Sequence, residues 1–75
     1  MKYYNIAIKS NDYDLSIKVI EKLEKEEIIS KGKMKPNQLT YMYYIPRLDI
    51  IVSGLNLEMH YPEYIEVYGS DFIKT

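Results

Sequence analysis

One imidazole, one guanidinium and no thiol limit the chemistry open to this chain. His60 stands two residues after Glu58 and three before Glu63. A histidine held by a carboxylate can move protons. His60 falls, however, on a regularly alternating stretch with no glycine-rich loop or nucleophile motif beside it. The serines at 10, 16, 30, 53 and 70 lie at caps, in a helical pattern or in turns, and none occupies a G-x-S-x-G elbow. Arg47, the only arginine, belongs to a turn. A ribonuclease would gather Arg, Lys and His on a basic groove, so that activity ranks last. No catalytic residue is assigned. With no cysteine and one histidine, no metal ligand set and no cofactor are expected.

Two other clusters have types and spacing that bear on binding. In "KGKMKPN" (31–37), Lys31, Lys33 and Lys35 alternate with Gly32, Met34 and Pro36. They could contact an anion, but a phosphate cradle uses amides at a helix N-terminus. This loop follows a helix C-terminus, where the dipole opposes anions. The second cluster is aromatic. Nine tyrosines stand against one Phe and no Trp, and "YMYYIP" (41–46) packs three into four positions. Tyr buries a large ring while its hydroxyl tolerates water, which suits an interface.

The elements that position these residues follow from periodicity. "YYNIAIKS" (3–10) alternates and predicts a strand. Residues 12–30 predict a helix, with Asn11 as N-cap, Asp12 and Asp14 in the first turn, and Gly32 as the C′ residue. Its apolar face is Tyr13, Ile17, Val19, Ile20 and Leu23; Asp14, Lys18, Glu21, Lys22 and Lys25 oppose it. Beyond residue 38 the period becomes two. Strands are expected at 38–45, 47–53, 55–61 and 63–69, with turns at Pro46-Arg47, Ser53-Gly54 and Pro62-Glu63. The stretch 55–61 alternates most cleanly. Residues 70–75 read as a tail that Phe72 and Ile73 dock.

The fold expected is α+β: a four- to five-stranded, mainly antiparallel sheet with one amphipathic helix on one face, in the order β-α-β-β-β-(β). The strand order is left open; one arrangement inserts the first strand beside a central strand of the C-terminal meander. Residues 1–75 make one small domain. Such a domain buries only about 60% of its unfolded surface and draws thin stability from its own core.

Sorting strand residues by parity gives two faces. One carries Tyr4, Ile6, Ile8, Tyr41, Tyr43, Ile45, Ile50, Val52, Leu57, Met59 and Tyr61 and is the seat for the helix. The other carries Tyr3, Met42, Tyr44, Ile51, Glu58, His60, Tyr64, Glu66 and Tyr68. One helix covers one face, so the second face is expected to meet a partner. Its contact residues are Tyr3, Met42, Tyr44, Glu58, Tyr64, Glu66 and Tyr68.

Net charge is −1, which removes the global field of a nucleic-acid binder. Asp49, Glu58 and Glu66 outnumber Lys9 on the second face and would repel phosphates. Rings among carboxylates suit a basic protein, such as one that itself binds nucleic acid. The leading expectation is a non-enzymatic protein-binding module. Its size and composition are those of phage or mobile-element inhibitors of host or defence proteins, anti-CRISPR proteins among them. Homodimerisation through the same face is compatible. The alternative is a nucleic-acid or nucleotide binder stacking bases on Tyr44, Tyr64 and Tyr68 beside Lys31, Lys33 and Lys35. Eleven Ile, nine Lys and nine Tyr beside one Ala and one Arg match AT-rich codons. No apolar run approaches the roughly 18 residues of a membrane span, and "MKYYNIAIKSNDYD" lacks a signal peptide's apolar region. A cytoplasmic location is expected, in the host cell if the gene is a phage's.

Overall fold

The computed structural model describes residues 3–36, 42–53 and 57–74. The expected Gly54 turn, Tyr41 and the starts of the strands expected at 38–45 and 55–61 lie outside them. Strand β1 is Ile6–Ser10 and helix α1 is Tyr13–Lys25. Strands β2 (Met42–Ile45) and β3 (Ile50–Ser53) follow, then helix α2 (Leu57–His60), strand β4 (Ile65–Tyr68) and helix α3 (Gly69–Phe72). The sheet order is β3-β2-β1-β4. β1 runs antiparallel to β2 and parallel to β4, and β2 runs antiparallel to β3. The domain is thus α+β, with β1 inserted between β2 and β4. Among the described residues no helix is long and apolar enough to cross a membrane.

Helix α1 starts one residue later than Asn11 would dictate. Asp12 is the N-cap, and its carboxylate accepts the Leu15 amide at 2.7 Å, satisfying one of the donors that a helix start leaves open. The helix also stops short of residue 30. Glu27 takes φ 61°, the Glu27 amide donates to the Glu24 carbonyl, and the Ile28 amide donates to the Leu23 carbonyl. This is a Schellman closure, with a glutamate where glycine is usual. It turns Ile28 and Ile29 back onto the sheet, and Gly32 plays no part in it.

The seat of α1 holds Ile8, Val19, Ile20, Leu23, Ile29, Met34, Tyr44 and Phe72. Ser10 and Ser16 are also buried there, with their hydroxyls 2.5 Å apart; the Ser16 hydroxyl donates to the Asp12 carbonyl. Both buried hydroxyls are satisfied. The expected tail is instead α3, which closes this side through Phe72. Gly69 makes that closure possible. A Cβ there would lie 2.9 Å from the Lys9 carbonyl oxygen and 3.0 Å from Val19 Cγ2, so only glycine lets the chain pass between β1 and α1.

The expected strand at 55–61 is corrected: Leu57–His60 is one helical turn, and the Tyr61 amide donates to the Leu57 carbonyl at 2.8 Å. The apolar positions 57 and 61 fit a period of two, but their i,i+4 spacing fits a helix equally. Met59, between them in the alternation, is 75% exposed.

The parity of β2 and β3 is also reversed. The register sets Tyr44 opposite Ile8 and Ile51 opposite Tyr44, so both pack with α1. Tyr43, Ile45, Ile50 and Val52 point the other way, into a second cluster with Ala7, Leu57, Tyr64 and Tyr61. The expected face assignment holds for β1 and β4.

Candidate functional site

The sheet's reverse side, opposite α1, is where exposed chemistry collects. A cross-strand row runs Val52, Tyr43, Lys9, Tyr68. The Lys9 ammonium lies 5.9 Å from the Tyr43 ring centre and 5.7 Å from that of Tyr68, within cation–π range of both. The adjoining row contains Ala7 beside Glu66. Ala7, the chain's only alanine, is fully buried. Its small side chain leaves room for a ring to lie across the sheet. Tyr43 Oη donates to Glu66 Oε2 at 2.6 Å, which ties β2 to β4 over β1.

The covering segment 57–64 forms a recess of about 510 Å³ with this surface. Tyr43, Tyr61 and Tyr64 supply rings, Glu58 and Glu66 supply carboxylates, and Leu57 and Pro62 supply apolar contacts. Tyr61 and Tyr64 have ring centres 6.4 Å apart with planes at 54°. Burial raises the Tyr43 phenol above the usual tyrosine range, and Glu66, Tyr68 and Glu58 push it in the same direction. The recess therefore carries a negative field as well as rings.

Of the seven residues expected to contact a partner, Glu58, Glu66 and Tyr68 are exposed on this side; Tyr68 is 54% exposed. Tyr64 lines the recess but is 8% exposed, a cover residue rather than a free ring. Tyr44 is corrected outright. It is fully buried under α1, and its hydroxyl donates to Asp49 Oδ1 at 2.8 Å. Burial pushes its pKa up to about 12. Tyr3 belongs to the helix side, where its hydroxyl donates to Glu26 at 2.6 Å and its ring meets Phe72 edge-on. Met42 is 38% exposed, opposite Ser10 and with the parity of Tyr44.

The loop lysines do not converge. Lys33 pairs with Asp49, Lys31 lines a mixed-charge shelf on α1 where Lys18, Lys22 and Lys25 stand among Glu21, Glu24 and Glu26, and Lys35 is exposed. His60 is exposed and stands edge-on to Tyr61 at 6.4 Å. Among the described residues, no three His, Asp or Glu side chains group as a metal site. Tyr4 and Tyr13, expected in the core, are 50% and 56% exposed; the Arg47 guanidinium caps the Tyr4 ring at 4.1 Å.

Sequence reasoning placed Lys9 on this face but set Tyr43 and Tyr61 on the opposite one. The signal for Tyr43 was its neighbour: in Tyr43-Tyr44-Ile45 every position is apolar or aromatic, which marks a strand covered on both sides. No protein-family model, curated protein or solved structure matches this chain.

Proposed function

We propose that this protein is a small non-enzymatic binding module that docks a basic partner protein on the reverse side of its sheet. The observation that carries this reading is the recess in which three phenol rings meet two glutamates, with Tyr68 exposed at the end of the adjoining row. Rings and carboxylates together favour Arg- and Lys-rich surfaces and disfavour phosphates. The hydroxyls of Ser10 and Ser16 are tied to one another in the core, and exposed His60 has a ring for its neighbour, which favours binding over catalysis. A compact chain occupying the basic surface of a nucleic-acid-handling protein would block it. That is how a phage or mobile-element inhibitor of a host or defence protein would act.

The test is capture of proteins from a lysate on the immobilised chain, compared with the double variant Glu58→Lys/Tyr68→Ser. Both substitutions lie at exposed positions, so circular dichroism should be unchanged. Basic proteins retained by the parent, released by moderate salt and lost from the variant would support the reading. Equal retention by the variant would remove this face from consideration. A dimer by sedimentation that the variant dissolves would reassign the face to a second copy.

A further inference from the structure

We infer that the reverse-side recess receives one arginine side chain presented by the partner protein. This rests on the binding reading above and specifies its central contact. Glu58 and Glu66 set the charge of the occupant, and the lining contains no cation. The Lys9 ammonium is not part of the lining and is engaged by the Tyr43 and Tyr68 rings. An anion would meet two carboxylates, and a neutral ring would leave both unused.

Tyr64 adds an independent sign. It is 8% exposed and lines the recess. Its hydroxyl has no hydrogen-bond partner among the described residues, although no fully buried side-chain oxygen or nitrogen there lacks one. The hydroxyl therefore keeps some open surface, on a residue that lines the recess. Glu66 spends only Oε2 on Tyr43, which leaves Oε1 to accept. Glu58 is exposed with its carboxylate available.

These acceptors match a guanidinium better than an ammonium. A guanidinium is planar, stacks on phenol rings and offers five N–H donors in a fork. It is also more weakly hydrated, so it gives up water more readily in a ring-lined recess. Its methylene stem has Leu57 and Pro62 to lie on.

The test uses the capped peptide acetyl-Gly-Arg-Gly-amide and its lysine and citrulline counterparts, titrated into isotope-labelled protein and followed by amide chemical shifts. Citrulline keeps the shape of arginine and removes the charge. Saturable shifts at Glu58, Tyr61, Tyr64 and Glu66 are expected with arginine, weaker ones with lysine and none with citrulline. Glu58→Gln, a surface change, is expected to weaken arginine binding by about twofold to fivefold. Tyr64→Phe, which keeps the ring, should also weaken it. Glu21→Gln, on the α1 shelf, should leave it unchanged. Equal responses to arginine and citrulline, or shifts confined elsewhere, would overturn the inference. If the peptide fails while the lysate capture still depends on Glu58 and Tyr68, the arginine assignment falls and the binding reading stands.

Discussion

The two sides of the sheet are sealed by different means. On the helix side a 13-residue helix lays Val19 and Leu23, both fully buried, over Ile8. The polar groups there close on one another: Ser10 with Ser16, Tyr44 with Asp49, Tyr3 with Glu26. On the reverse side the cover is one helical turn and the segment leading to β4, and it contributes Leu57 together with the rings of Tyr61 and Tyr64. A short irregular segment must keep its backbone near water, so it cannot lay a continuous apolar stripe. Tyrosine fits that constraint because its ring can be buried while its hydroxyl stays wet. The helix side is thus built to be closed, and the reverse side keeps polar tips at its surface. Stability and recognition are divided between the two.

The largest expected effect tests that division. Leu23→Ala opens a cavity against a rigid helix and is expected to cost between about 2 and 5 kcal/mol, while Leu57→Ala under the one-turn cover is expected to cost about 2 kcal/mol, because the cover can settle inward. Urea unfolding of both variants measures the difference. A larger loss at Leu57 would make the reverse side the principal core.

Alkaline pH offers a second comparison, since each side holds one raised phenol, Tyr44 on the helix side and Tyr43 on the reverse. Below about pH 10 folded and unfolded chains both keep these protons, so the stabilisation is complete. Above it the unfolded phenols ionise first, and stability falls by roughly 1.4 kcal/mol per pH unit for each group. For Tyr44 the fall ends when the folded group ionises at about 12; for Tyr43 it continues beyond. Denaturation midpoints across this range should show a shallower slope in Tyr44→Phe and in Tyr43→Phe than in the parent. A slope that neither substitution alters would mean that both rings ionise freely in the folded chain.

The same contrast explains which parts of the fold were legible. β1 and α1 were readable because polar residues punctuate them: Asn5 and Lys9 alternate with Ile6 and Ile8, and Lys18, Glu21 and Lys22 flank Val19, Ile20 and Leu23. β2 and β3 were not, because Tyr43-Tyr44-Ile45 and Ile50-Ile51-Val52 are covered on both sides and have no period to read. Parity then depended on a register that only pairing supplies: Ile8 opposite Tyr44 rather than Tyr43. The turn at 57–60 was hidden because i,i+4 satisfies both templates. As for the site, Glu66 and Tyr68 lie on the reverse side because β4 keeps its parity, whereas Glu58 lines the recess from a helical turn where a strand was expected. Tyr44 is expected outward from the parity of β2, which the register reverses. Tyr64 is expected outward on the premise that one helix leaves a bare face, and the segment 57–64 supplies the cover that premise omits.

Tyr68 gives the smallest effect and the sharpest contrast with Tyr43, its neighbour across Lys9. Tyr43 is 6% exposed and bonded to Glu66, whereas Tyr68 is 54% exposed, and its aromatic contact is with the Lys9 ammonium. An exposed cation–π contact is worth about 0.5–1 kcal/mol, so Tyr68→Ser is expected to lower stability by no more than that in urea unfolding. A loss near that of Leu57→Ala would show that Tyr68 supports the reverse core instead of standing beside it. A negligible loss leaves a large aromatic ring that the fold does not need, at the end of a row that leads to the recess.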